Sequence, residues 1–201
     1  MKTTPITSAD LARSVIAVPP LCRDEKLELA DAENVRLIRH LEGGGVRILL
    51  YGGNANLYNI AVSEYPALLD FLATNAGEDT LIIPSVGPFY GNIVDQAAIL
   101  REREFPAAML LPTTFPATPS GVATAVRHFV EKSNTRAVVY IKDESYITPD
   151  EVKALVDDQL VAWIKYAVVR EDPLQDSYLD ELIDKVDSNK IVSGIGEQPA
   201  I

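Results

Sequence analysis

Short apolar runs alternate with longer amphipathic stretches along almost the whole chain, and that rhythm leaves few folds open. Ser14-Val15-Ile16-Ala17-Val18-Pro19 reads as a first strand, and Asp31 to Leu41 as the helix after it. In that helix Val35, Leu37, Ile38 and Leu41 make an apolar stripe at helical spacing. Gly43-Gly44-Gly45 stops it, since glycine tolerates the left-handed turn that follows a helix. Val46 to Tyr51 is apolar almost throughout, the pattern of a strand covered on both faces. The alternation then repeats. A helix starts at Ser63 as N-cap, with Leu68, Leu69 and Leu72 on one face. A strand Leu81 to Val86 leads to a helix from Ile93 to Arg103, and a strand Ala107 to Leu111 to a helix from Ser120 to Lys132. Arg136 to Ile141 is the fifth strand. Thr148-Pro149-Asp150-Glu151 opens the next helix with a hydroxyl cap, a proline at the first position and acids in the first turn. The sixth strand lies in Val161 to Val169, a helix spans Leu174 to Val186, and Ile191-Val192-Ser193 begins a seventh strand.

Strict alternation implies parallel strands with helical crossovers. Two α/β architectures compete, an open doubly wound sheet and a closed (β/α)8 TIM barrel. The open sheet usually holds a nucleotide at a glycine-rich first turn. Here the first turn is Pro19-Pro20-Leu21-Cys22-Arg23-Asp24, and Gly52-Gly53-Asn54-Ala55-Asn56 lacks the G-x-G-x-x-G spacing. The barrel fits better, with six to seven βα units in a single domain over 1–201. A complete barrel takes about 250 residues. The loop Gly194-Ile195-Gly196-Glu197 is followed by little more chain, so the expectation is a fragment, or a structure closed by another chain.

The net charge of −11 argues against a nucleic-acid or anionic-membrane partner, both of which need a Lys/Arg excess. A single cysteine, Cys22, allows no disulfide within the chain, and no metal-ligand cluster is readable. His40 and His128 fall in helical segments and read as surface or structural residues, which leaves a Ser-His-Asp or Cys-His site poorly supported. Residues Met1 to Asp10 are too polar for a signal peptide, and no apolar run approaches the roughly 20 residues of a membrane span. A cytoplasmic location is expected.

Lys165 sits in Trp163-Ile164-Lys165-Tyr166-Ala167, an apolar setting. A free lysine, with a pKa near about 10.4, is a poor nucleophile at neutral pH, and burial lowers that value. The alternative is a lysine whose stem packs at a strand end while its head reaches water. Lys142 is the rival amine. Its neighbours Asp143 and Glu144 are expected to keep it charged. Tyr140 lies near the C-terminal end of the fifth strand, the end at which barrels assemble their chemistry. It is either a proton-transfer group or a core tyrosine with a satisfied hydroxyl. Gly53, Asn54 and Ala55 follow the second strand. Their backbone N–H groups could cradle a carboxylate, or could form only a tight turn.

Together these residues resemble the dihydrodipicolinate synthase / N-acetylneuraminate lyase family. Its G-I-K-E-like motif corresponds to Trp163-Ile164-Lys165-Tyr166, its Y-N-x-P to Tyr140-Ile141-Lys142-Asp143, and its G-T-T-G-E to Gly52-Gly53-Asn54-Ala55-Asn56. The resemblance implies a (β/α)8 barrel that binds pyruvate or a related 2-oxo acid as a Schiff base. Lys165 would form the imine and Tyr140 would shuttle protons. Gly53, Asn54 and Ala55 would hold the carboxylate, and Thr114 would stand where the synthases place a relay tyrosine. It implies no metal or organic cofactor, and a homo-oligomer, dimer or tetramer. The departures are specific. Gly53 and Asn54 replace two threonines, and Ser145 replaces an arginine that grips the second substrate's carboxylate. A lyase other than dihydrodipicolinate synthase itself is therefore expected. A non-catalytic, ligand-binding relative of the same fold is the alternative, and a nucleotide-dependent α/β enzyme a distant third.

Overall fold

Seven apolar runs pair in parallel, each with the next one in the sequence. The computed structural model describes residues 1–195. Its strands are β1 (Ile16–Ala17), β2 (Ile48–Leu50), β3 (Leu81–Ile83), β4 (Ser85–Val86), β5 (Ala108–Leu110), β6 (Ala137–Ile141), β7 (Val161–Tyr166) and β8 (Ile191–Ser193). The order is β1-β2-β3 in one sheet and β4-β5-β6-β7-β8 in the other, parallel throughout. β3 and β4 are two halves of one passage. Pro84 divides them because it has no N–H for the ladder. The ladder nonetheless bends through this point: Ile83 O accepts from Tyr51 N at 2.9 Å on one side, and Pro84 O from Met109 N at 2.8 Å on the other.

The helices are α1 (Ser8–Ala12), α2 (Asp31–Gly43), α3 (Tyr65–Asn75), α4 (Tyr90–Leu100), α5 (Pro119–Ser133), α6 (Pro149–Asp157) and α7 (Ser177–Lys185). α2 to α7 are the crossovers. Sequential strand order with a helix in every connection is the arrangement of a (β/α) barrel. β1 and β8 are its two outer strands. Neither pairs on its second side among the described residues.

Local chemistry explains most boundaries. Thr7 and Asp10 form a capping box on α1, and Thr148 and Glu151 another on α6. Thr118 caps α5, with Pro119 at its first position, and left-handed Asn134 closes it. After α2 the left-handed residue is Gly45, at φ +88°. At the N-terminal end of the strands, Glu42 accepts from Gly77 N at 2.6 Å and from Thr80 Oγ1 at 2.7 Å. Burial works against its charge, but these bonds and Arg39 hold its carboxyl below the usual range.

Several expectations are corrected. β1 covers only two residues of the run Ser14 to Pro19. The third strand is broken at Pro84. α3 starts at Tyr65 rather than at a Ser63 cap, because a turn over 61–64 precedes it and Pro66 falls in its first turn. α4 starts at Tyr90, three residues before Ile93; Tyr90 is half-exposed, so the first turn carries no apolar periodicity. α7 starts at Ser177 under an Asp176 cap, leaving Leu174 outside it and exposed. α1 was not expected. Of the loop Gly194-Ile195-Gly196-Glu197, the last two residues lie outside the described ones.

Candidate active site

Parallel strands bring all their C-terminal ends to one face, so residues far apart in sequence meet there. On β7 the two-residue repeat divides the side chains. Tyr166 turns outward: its hydroxyl donates to Asp176 Oδ2 at 2.6 Å, and its ring stacks on Tyr178 of α7. Trp163 and Lys165 turn inward. They line a cavity of about 490 Å³ with Ile16 and Val18 from around β1, Leu50 of β2, and Val192 and Ser193 of β8.

Tyr140 and Lys165 are register partners across β6 and β7, and Lys165 Nζ lies 4.3 Å from the Tyr140 ring centroid. The ring face is an electron-rich seat for an ammonium. Among the described residues Lys165 makes no ion pair or hydrogen bond. Its pKa is lowered, first by desolvation and then by the charge of Lys142. Burial raises the Tyr140 phenol. An amine that sheds its proton more readily, beside a phenol that keeps its own, is chemically able to serve as a nucleophile with a neighbouring proton donor. Gly194 completes the seat. A Cβ there would fall 2.6 Å from Lys165 Cε and 3.2 Å from Ala167 Cβ.

Neither acid beside Lys142 pairs with it among the described residues: Glu144 is bound to Arg170. Asp143 is turned onto Ser145, accepting from its backbone N at 2.8 Å and from its hydroxyl at 2.5 Å. Lys142 has no ion pair among the described residues. It faces a second hollow of about 350 Å³, lined by Tyr58, Thr114, Asp143 and Tyr146 among others. The structure therefore places Thr114 beside Lys142 rather than in the Lys165 cavity.

After β2, residues 53–56 form turns and run into a short 3-10 helix, Leu57–Asn59. Ala55 is buried, and Gly53 and Asn54 are exposed. The left-handed residue of the loop is Asn56, at φ +55°, and not a glycine. The side chain of Asn54 is engaged: its Nδ2 donates to Val18 O at 3.0 Å, tying this loop to the one after β1. Among the described residues the backbone N–H groups of Gly53, Asn54 and Ala55 donate to no protein acceptor. Tyr58 ties the loop after β2 to the one after β5. Its ring is 3.8 Å from where a Gly53 Cβ would be, and its hydroxyl donates to Pro112 O at 3.2 Å. Burial, with the charge of Tyr140 second, pushes its phenol up to about 12. The sequence offered no signal for Tyr58, whose role arises through space. No group of three or more His, Cys, Asp or Glu residues suited to a metal ion occurs among the described residues.

The fold and the strand lysine define a class, an α/β barrel with an amine at the C-terminal end of one strand. The known proteins that the chain resembles agree on that fold. No family model matches the chain. Over 147 residues, 72% of the chain, it is 23% identical to a probable 5-dehydro-4-deoxyglucarate dehydratase of Bacillus licheniformis, of which this covers 47%. Among solved structures, a dihydrodipicolinate synthase from Aquifex aeolicus superposes at a TM-score of 0.77 and 14% identity, over 90% of this chain and 63% of that one. The Proteus mirabilis N-acetylneuraminate lyase gives 0.75 and 13%, over 92% and 64%. A 2-keto 3-deoxygluconate aldolase from Picrophilus torridus gives 0.73 and 16%, over 91% and 66%. The fold is thus that of the dihydrodipicolinate synthase and N-acetylneuraminate lyase barrels. The chain spans about half the length of the curated relative and under two thirds of these solved chains. No helix among the described residues is long and apolar enough to cross a membrane.

Proposed function

We propose that the protein is a Schiff-base-forming lyase acting on pyruvate or a related 2-oxo acid. The observation that carries this reading is the register pairing of Lys165 with Tyr140, the ammonium 4.3 Å from the ring centroid. The neutral Lys165 amine adds to the keto carbon and gives a carbinolamine. Tyr140 then donates its proton to the departing hydroxyl, water leaves, and a protonated imine remains. That imine accepts the electron pair of the carbon–carbon bond next to its α-carbon, or of an α C–H bond whose proton is removed to give an enamine that then expels a β-oxygen as water, so the reaction calls for neither a metal nor an organic cofactor. The free N–H groups of Gly53, Asn54 and Ala55 suit the carboxylate. Thr114, beside Lys142, suits the second reactant or the leaving fragment. The relatives' names, aldolase, synthase, lyase and dehydratase, support the same class. The test is to incubate with pyruvate, reduce with borohydride and map the modified peptide by mass. An adduct on Lys165 is expected. An unmodified protein, or an adduct on Lys142, refutes the reading. Homo-oligomeric assembly as a dimer or tetramer, checked by light scattering, and a cytoplasmic location belong to the same reading.

A second reading, a ligand-binding relative without turnover, has its own support. Gly53 carries no hydroxyl, Tyr58 spends its own on Pro112, and the Tyr140 hydroxyl has no hydrogen-bond partner among the described residues. Among the described residues no protein hydroxyl is bonded behind Tyr140 as a proton relay. This reading expects trapping of the imine with no release of product.

A further inference from the structure

The hollow beside Lys142 holds a phenol that the protein itself does not use. Tyr146 is 6% exposed. Tyr58, Tyr65, Tyr166 and Tyr178 each donate to a protein oxygen, whereas the Tyr146 hydroxyl has no partner among the described residues. Nor is it sealed. Among the described residues the unpaired side-chain donors closed off from solvent are Trp163 Nε1 and Arg170 Nε. The Tyr146 oxygen therefore opens onto the space its ring lines. That space is the hollow with Lys142 and an adjoining cleft toward α4 and α5 whose walls carry no charge. Burial raises the phenol's pKa, so it keeps its proton and stays a donor. Buried polar groups are nearly always paired, so an open one without a partner is a seat for something outside the chain. Two further donors face the same hollow, the Lys142 ammonium and the Thr114 hydroxyl, and neither has a partner among the described residues. Thr113 and Tyr58 are spent on Phe115 O and Pro112 O. Asp143 also lines the hollow, but it is exposed and turned onto Ser145, where water screens its charge. Lys142 is the first residue after β6. Two positions on from Tyr140, it falls on the same face, about 7 Å farther toward the C-terminal ends of the strands. Its charge reaches Lys165.

We infer that Lys142 and Tyr146 form a carboxylate site one step outward from the Lys165–Tyr140 pair, so that the preferred ligand is a 2-oxo acid with a second acid group at its far end. The inference rests on the Schiff-base reading for the 2-oxo end alone, and it adds two residues and a substrate class. An ammonium and a neutral phenol suit a carboxylate, which accepts on both oxygens. In 2-oxoadipate the far carboxylate lies about 5 Å beyond the keto carbon when the chain is extended, and the long Lys142 side chain covers the remainder. The net charge of −11 works the other way, since the molecule as a whole repels a second negative charge on a ligand. A preference for a diacid therefore calls for a local cation.

The test compares 2-oxoadipate with 2-oxohexanoate, which have the same chain length and differ in the far carboxylate. Both are titrated calorimetrically into the unmutated protein, and the diacid is expected to bind about tenfold more tightly. Lys142→Gln should bring that ratio down to about one, Lys142→Arg should keep it, and Tyr146→Phe should lower it about threefold. Lys142 is exposed, and Tyr146→Phe removes only a hydroxyl without a protein partner, so both variants keep the packing of the fold. A ratio at or below one in the unmutated protein overturns the inference, as does no measurable binding of 2-oxoadipate. A ratio that stays unchanged in Lys142→Gln or in Tyr146→Phe overturns it too. Borohydride trapping with 2-oxoadipate is scored separately. A diacid preference without an adduct on Lys165 removes the lyase reading and keeps the carboxylate site. An adduct on Lys165 with no diacid preference does the reverse, and an adduct on Lys142 overturns both.

Discussion

The strands in the middle of the sheet and the two at its ends are built from similar apolar residues, yet they differ in what surrounds them. Every residue of β2, β3 and β5 is buried, with Leu49, Ile82 and Met109 at 0% exposure. Ile16 and Ala17 of β1 and Ile191 and Val192 of β8 are only half-buried, and Val15 beside them is 74% exposed. The middle strands have a ladder on both sides and helices behind them. The outer two have a ladder on one side and the Lys165 cavity between them. Close packing is thus densest in β2, β3 and β5, while the border of β7 with β8 and β1, beside Tyr140 of β6, is left open.

The largest effect that separates these regions is on stability. Leu49→Ala is expected to cost about 2–5 kcal/mol in urea unfolding, against roughly 1 kcal/mol for Ile16→Ala; equal losses would erase the distinction. Next is Gly194→Ala. Its methyl displaces Lys165 without touching the central core, so trapping with pyruvate should slow about tenfold while the unfolding midpoint barely moves. A third effect concerns acid. The Glu42 carboxyl is held low, as is that of Asp176, where burial opposes the charge and Arg170, Tyr166 and Leu179 N–H outweigh it. Both bind protons less readily folded than unfolded. Their contribution is therefore complete at neutral pH and is lost as pH falls through and below the ordinary carboxylate range, from about 4.5 downward. Urea midpoints should fall over that range, and Glu42→Gln should flatten the slope. The smallest effect is on the amine itself. The lowered pKa of Lys165 puts the pH midpoint of trapping below that of a free lysine, and Lys142→Gln, by removing a neighbouring positive charge, should raise that midpoint. A midpoint that does not move would disconnect the two lysines.

The same contrast decides what could be read from the sequence. β2, β5 and most of β6 were legible because strands buried on both faces are apolar almost without interruption, and β7 because its one charge, Lys165, stands in an otherwise apolar run. Thr148-Pro149-Asp150-Glu151 was legible because a capping box is a local pattern. The break at Pro84 was visible as a residue but not as a boundary, since the ladder runs on past it. Lys165 and Tyr140 were found through apolar neighbours and strand position, and the structure pairs them. Trp163 looked like one of those neighbours. Its place two residues from Lys165 already put both on one face, but its lack of an acceptor is a property of three dimensions. Tyr58 and Gly194 act through space alone, and adjacency to Asp143 did not tell that its carboxylate turns onto Ser145 and leaves Lys142 without an ion pair among the described residues.

Because each strand lies against its sequence neighbours, no part of the sheet has to wait for a distant segment before it can form. Any adjacent βα pair can serve as a starting point, and growth can proceed toward either end, which keeps the loop-closure cost of each step modest. Local opening should run the other way. Amide exchange should be slowest in β5, β6 and β7 and quicken step by step toward β1 and β8, so the two outer-strand walls of the Lys165 cavity are also the first part of the sheet to breathe.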